Sequence, residues 1–424
     1  MYDLPIAVGL LLANQTIGTQ LHRKMLFAGE LALDGRLRPI KGAISMAMLA
    51  RKLKCRGIIV PTENASEAAA AGDVTVYPAD SLATVVAFLN EQHSIMPHSS
   101  DAEEALAHSV PAVDFADVRG QELVKRALTI AAAGAHNVLM IGPAGTGKTM
   151  CAKALPGILP PLSRDEALET TCIYSAAGLV PAGHALITQR PVRSPHHTAS
   201  APALIGGGSI PRPGEVSLAH HGVLFLDELP EFNRAVLETL RQPLEDGQVT
   251  VARAHSTLRF PARFMLVAAM NPTPKGDFAT DESSQRDMDR YLSRISGPLI
   301  DRIDIHVEVP RVPYHQLAAA PNGTDSATMR QQVIEARSIQ AKRNGGPLKT
   351  NATLSGRQLD KLAVLDDRGR ELLRQALTEM GLSARAYDKI RRVGRTIADL
   401  EHSEQVTEAH VAEAVQYRLL DRKL

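Results

Sequence analysis

Gly142-Pro143-Ala144-Gly145-Thr146-Gly147-Lys148-Thr149 sets a lysine and a hydroxyl behind spaced glycines, the complete GxxxxGK[ST] pattern. That spacing suits a loop wrapped around phosphates. The glycines let backbone N–H groups turn inward, Lys148 reaches the β- and γ-phosphates, and the Thr149 hydroxyl can ligate Mg²⁺. The apolar run Val138-Leu-Met-Ile141 before the loop and helix-forming residues after it supply the strand–loop–helix setting that a chance glycine-rich turn lacks. A second apolar run, Val223-Leu-Phe-Leu226, ends in Asp227-Glu228. Acids at the carboxyl edge of a parallel sheet sit where nucleotides bind, so Asp227 is expected to hold Mg²⁺ and Glu228 to polarise the attacking water. A third run leads into Ala269-Met270-Asn271-Pro272. Asn271 is expected to orient the water or touch the γ-phosphate, although Asn before Pro is also an ordinary turn former.

Short apolar strands alternating with helical segments over residues 113–312 imply a parallel sheet with flanking helices, an α/β core. Residues 1–92 read as a smaller α/β unit, with strands at Gly57-Ile-Ile-Val60 and Val74-Thr-Val-Tyr77 and helices at 43–54 and 82–89. Residues 93–112 read as a polar linker and 313–326 as a second one. From 327 to 424 the pattern is helical and charged, with no convincing strand.

A chain of 424 residues is too long for one core. A formal charge of +1 gives no global basic field, so nucleic-acid contact must come from local Arg and Lys clusters. Cys55, Cys151 and Cys172 show neither CxxC spacing nor histidine partners, which argues against disulfides and metal ligation. The opening residues carry no basic leader, and no apolar run is long enough to span a bilayer. A cytoplasmic, soluble protein with no membrane partner is expected.

Asp114-Phe-Ala-Asp-Val-Arg-Gly120-Gln, Arg193-Ser-Pro-His196-His197-Thr-Ala-Ser200, Gly222 to Phe232 and Arg294-Ile-Ser-Gly-Pro-Leu-Ile-Asp301-Arg302-Ile-Asp304 are long, specific motifs. On these the chain resembles the AAA+ superfamily, and within it the magnesium-chelatase-like branch that includes the ComM/YifB bacterial proteins. The resemblance implies a ring, a hexamer by analogy, with ATP and Mg²⁺ bound at subunit boundaries. It makes Arg302 the arginine offered to a neighbour's site, with Arg294 second. A planar guanidinium suits charge spread over a transferring phosphoryl group. The competing reading pairs Arg302 with Asp301 or Asp304. Gly381-Leu-Ser-Ala-Arg385 resembles the lid segment, making Arg385 the residue that senses the γ-phosphate within its own subunit, with Ser383 as the helix N-cap.

Two inserts are expected to face a substrate. Residues 173–214 resemble the helix-2 insertion of this branch. Residues 248–261 read as a hairpin whose basic tip presents Arg253, His255 and Arg259, which the resemblance to ring helicases would turn toward DNA phosphates. His196-His197 and His220-His221 invite a metal, but adjacent histidines on a strand point to opposite faces and no third ligand completes a set. The N-terminal unit resembles a Lon-protease-type fold opened part-way through, a late start or a deletion, with Phe27 to Ile40 as a strand-turn-strand. It has Ile44 where the protease has its lysine, so peptidase chemistry is not expected. These readings converge on an ATP-hydrolysing ring motor acting on single-stranded or branched DNA, in branch migration during DNA uptake and recombination. A protein-remodelling or chelatase-type motor with a protein partner is the alternative, and a non-hydrolysing scaffold is disfavoured by the intact loop lysine and acids.

Overall fold

The computed structural model describes residues 1–99, 113–181, 183–208, 211–253, 256–273, 291, 293–313 and 323–418. The chain divides into two compact units, Met1–Ser109 with Pro161–Gln189, and Val110–Pro160 with Arg190–Leu424.

The first unit holds a three-stranded parallel sheet in the order β1-β4-β5, formed by β1 (Met25–Phe27), β4 (Gly57–Pro61) and β5 (Thr75–Ala79). The short antiparallel pair β2 (Glu30–Leu31) and β3 (Leu37–Arg38) forms the strand-turn-strand between them. The central strand β4 is buried along its whole length, as its unbroken apolar run implies. Helices Ala43–Lys52 and Leu82–Leu89 form where the sequence pattern put them.

Helix Arg164–Ala177 belongs to this unit as well, although its sequence follows the phosphate loop. A capping box between Ser163 and Glu166 starts it, and Ala167, Leu168 and Leu186 join the apolar core around Ile44 and Val60. The buried Glu67 carboxylate accepts from the Ile44 backbone N–H at 3.0 Å and from the Ser175 hydroxyl of that helix. The first part of the segment read as a projecting insertion is therefore a packed helix. Its side chains at Ala167, Thr170, Thr171 and Ser175 are buried, a periodicity of a helix face that a Gly- and Pro-rich composition obscures further along.

The second unit is built on a five-stranded parallel sheet ordered β14-β6-β13-β10-β7. Its members are β6 (Val138–Ile141), β7 (Val192–Arg193), β10 (Val223–Leu226), β13 (Met265–Met270) and β14 (Ile305–Glu308). Strands β6, β10 and β13 are wholly buried, which explains why they read as continuous apolar runs instead of alternating ones. One face packs Met140, Phe225 and Val267 against Leu128, Leu155 and Ile397. The other packs Leu139, Leu224 and Leu266 against Val216, Leu237 and Leu240. Two antiparallel pairs hang from this unit, β8 (Gly206–Gly207) with β9 (Arg212–Pro213), and the hairpin β11 (Gln248–Arg253) with β12 (Ser256–Pro261).

Beyond the sheet come helices Ser326–Asn344, Arg357–Leu362, Asp367–Met380, Ala384–Leu400 and Glu408–Gln416, with no strand among the described residues of this stretch. Asp325, Asp366 and Ser383 cap three of them by accepting a backbone N–H. The residues between 327 and 418 thus form a helical lid, in the same compact unit as the sheet.

Candidate active site

Parallel pairing brings the carboxyl ends of β6, β13 and β10 side by side, with Ala268 beside Leu139 and Leu226 beside Ala268. The chain leaves β6 into the phosphate loop, β13 into Asn271 and β10 into Asp227-Glu228, so residues far apart in sequence converge at one edge. Gly145 and Gly147 take φ of +77° and +94°, the left-handed conformations that turn the loop, and nothing lies within 4 Å of where a Cβ would stand on either. Helix Lys148–Ala154 starts directly from that turn.

Lys148 is 8% exposed. Its ammonium donates to the Gly142 and Pro143 carbonyls at 2.6 and 2.8 Å and to Asn271 Oδ1 at 3.1 Å. Burial pulls its pKa down, and the carboxylates of Asp227 and Glu228 pull the other way. Thr149 Oγ1 donates to Asp227 Oδ2 at 2.8 Å, joining the two groups expected on Mg²⁺. These donors fit a phosphate–Mg²⁺ pair: an inward lysine, open glycine backbone, and a hydroxyl touching a carboxylate form the oxygen-rich set a hard cation takes. The threonine hydroxyl and carboxylate that would share the ion already lie in contact.

Glu228 follows β10 in a left-handed backbone conformation, φ +52° and ψ +46°, which costs a non-glycine residue about 1 kcal/mol. Its backbone N–H donates to Asp227 Oδ1 at 3.0 Å. Its carboxylate Oε2 lies 3.1 Å from His197 Nδ1. That partner was not visible in the sequence. The rings of His196 and His197 lie 4.1 Å apart and those of His220 and His221 3.9 Å apart. The expectation that adjacent histidines point to opposite faces is therefore corrected: neither pair lies on a strand, and His221 turns the chain with φ +56°.

Arg302 pairs with Glu245 and donates to the Pro298 carbonyl at 2.8 Å, and its Nε is buried with no partner among the described residues. Neither of its two anticipated partners holds it. Asp301 is taken by Arg385 and Asp304 by His136. Burial lowers the Arg302 pKa, and the nearby Arg241 and Arg385 charges lower it further. Arg294 pairs with Glu231 at 3.2 Å and lies over the Tyr291 ring. Arg385 sits in the first turn of helix Ala384–Leu400, whose cap is Ser383, with its side chain 64% exposed.

The hairpin forms as the sequence implied, with Thr250 opposite Arg259. Arg259 is exposed on it, Arg253 ends β11, and His255 lies outside the described residues. Residue Gln121, at the end of a quoted motif, was given no role. Its Nε2 donates to the Thr146 carbonyl of the phosphate loop at 3.3 Å and to the Pro310 carbonyl at 2.6 Å, bracing the loop against the chain that leaves β14. No helix among the described residues is long and apolar enough to cross a membrane.

Comparison with known proteins extends the same pattern along the chain. Residues 114–317 match the family described as magnesium chelatase, subunit ChlI, residues 323–418 match its C-terminal counterpart, and residues 1–64 match the family described as subunit ChlI of Mg-chelatase. Over its full length the chain is 45% identical to the competence protein ComM of Haemophilus influenzae and 46% identical to the YifB protein of Salmonella typhimurium, spanning 83% of each. It is 29% identical over 222 residues to the magnesium-chelatase 38 kDa subunit of Rhodobacter capsulatus, covering 48% of this chain and 57% of that one. Likeness that runs through sheet, lid and N-terminal unit alike makes this chain a member of the magnesium-chelatase-like ComM/YifB family of AAA+ ATPases.

Proposed function

We propose that this protein is an ATP-hydrolysing ring motor that moves on DNA. The observation that carries hydrolysis is the convergence of Lys148, Thr149, Asp227, Glu228 and Asn271 at one sheet edge, with Thr149 already bonded to Asp227. In this reading the loop N–H groups and Lys148 bind the β- and γ-phosphates, and Thr149 and Asp227 hold the metal. Mg²⁺ bound there supplies positive charge that neutralises the phosphates. Glu228 accepts a proton from the attacking water, and Asn271 keeps Lys148 aimed at the edge where that water sits. Arg302 serves the neighbouring subunit by exchanging Glu245 for phosphate oxygens, and Arg385 reports the γ-phosphate to its own lid.

DNA as the substrate is supported by full-length likeness to a protein named for competence and by the basic hairpin β11–β12. Branch migration on single-stranded or branched DNA is the form of the work we assign to it. A protein-remodelling or chelatase-type motor is the second reading, favoured by the likeness to the magnesium-chelatase subunit and by a net charge of only +1. Replacing Arg253, His255 and Arg259 with alanine separates the two. A DNA motor then loses DNA affinity and part of its salt dependence, while a protein remodeller loses neither.

A further inference from the structure

The histidine pair at the end of the short edge strand has no role in the reading above, yet one of its members holds the acid assigned to water activation. Strand β7 runs parallel to β10 with Arg193 beside Leu224. His197 lies four residues past Arg193 and Glu228 four residues past Leu224, so the two emerge from neighbouring strands in the same register. The side chains then meet, Nδ1 to Oε2, at 3.1 Å.

The segment that carries His197 is anchored on both sides of it. Arg193 grips Glu215 through two donors, Nε to Oε2 at 2.6 Å and Nη2 to Oε1 at 2.8 Å. Such a forked pair fixes orientation as well as distance. On the other side, the Thr198 hydroxyl lies 2.9 Å from His196 Nδ1, and Ser200 caps the next helix. The His197 ring also meets the Phe232 ring edge-on at 6.4 Å and the His196 ring at 4.1 Å. Glu228, by contrast, has a side chain 54% exposed to solvent, against 30% for His197. A half-exposed glutamate samples many rotamers, and fixing one costs up to about 2 kcal/mol.

We propose that His197 is a positioning residue for Glu228: its Nδ1–H holds Oε2 and sets the carboxylate in the orientation from which it takes the proton of the attacking water. This rests on the reading of Glu228 as the water-activating group. The neutral ring with its proton on Nδ1 is the form that donates this bond, and asparagine is the replacement whose amide N–H falls nearest that position.

The test is single-turnover and steady-state ATP hydrolysis by the full-length protein, comparing the wild type with His197→Ala, His197→Asn, Glu228→Gln and the double variant His197→Ala/Glu228→Gln. Binding of a fluorescent ATP analogue and thermal melting report that each variant is folded. The expected result is that His197→Ala lowers kcat about tenfold with KM for ATP unchanged. His197→Asn recovers most of that loss, and His197→Ala has no further effect once Glu228 is glutamine. A His197→Ala protein with unchanged or raised kcat overturns the proposal, and so does a loss that persists in full in the Glu228→Gln background. If His197→Ala does not fold, a His197→Asn enzyme with under half of wild-type kcat overturns it. Should Glu228→Gln itself turn over normally, the assignment of Glu228 fails and this inference falls with it, an outcome distinct from failure of His197 alone.

Discussion

At the scale of the residue, Lys148 and Glu228 divide binding from chemistry. Lys148 is buried and spends its three donors on two loop carbonyls and Asn271, so an arriving phosphate exchanges with neutral partners and breaks no ion pair. Lys148→Ala is expected to abolish ATP binding, read as loss of a fluorescent analogue's signal. Glu228→Gln keeps the shape and removes the proton acceptor. It is expected to bind ATP as the wild type does and to lose about 10²- to 10⁴-fold in kcat, measured as phosphate release. Lys148, Thr149, Asp227 and Glu228 were legible in the sequence because each is fixed by its immediate neighbours, a glycine loop or the end of an apolar run. His197 was not, because its place beside Glu228 comes from the pairing of a two-residue edge strand. Nor was the Arg302–Glu245 pair, since Glu245 closes a short helix Arg241–Asp246 that only the folded chain sets against Pro298 and Arg302.

At the scale of the element, the stretch Asp301–Asp304 joins the sheet to the lid. Arg385 grips Asp301, and Lys389 and Arg418 donate to the Ile303 carbonyl at 2.9 and 2.8 Å. His136 spans Asp304 at 3.3 Å and Thr396 at 2.8 Å. Burial raises the pKa of the Asp304 carboxyl, but the His136 hydrogen bond and the charges of His136, Lys389 and Arg392 outweigh it and hold the group at about 2. Because the folded value lies below the unfolded one of about 3.9, its stabilisation is complete above about pH 4 and is lost as the pH falls toward about 2. Asp304→Asn is expected to cost about 2 kcal/mol near neutrality and to remove that part of the acid-induced loss, read by denaturant melts from pH 7 to pH 2. Deleting the ring in Phe225→Ala, on the central β10, is expected to cost about 3–5 kcal/mol in the same melts. The strands were the most legible elements, since burial on both faces writes itself as an apolar run. The helix Arg164–Ala177 was legible as a helix start from its Ser163 and Glu166 box, but its membership of the first unit depends on contacts with Ile44, Val60 and Glu67 that no local pattern reports.

At the scale of the whole molecule, proteins of this superfamily work as rings, and Arg302 has a reason to be held by Glu245 until a neighbour arrives. Glu245→Gln is expected to leave ATP binding intact and to change kcat only at protein concentrations where subunits associate, a dependence that ATPase rates across a dilution series reveal. The hairpin β11–β12 is the surface through which the ring is proposed to meet DNA, and with a net charge of +1 any such affinity is local and salt-sensitive. Steady-state ATPase of the full chain, alone and then with single-stranded, duplex and four-way-junction DNA at low and moderate salt, tests the motor most directly. A DNA motor gives turnover that one DNA form raises most, that weakens with salt, and that disappears with Glu228→Gln. Steady turnover indifferent to every DNA, at either salt, would contradict it and turn the search toward a protein partner.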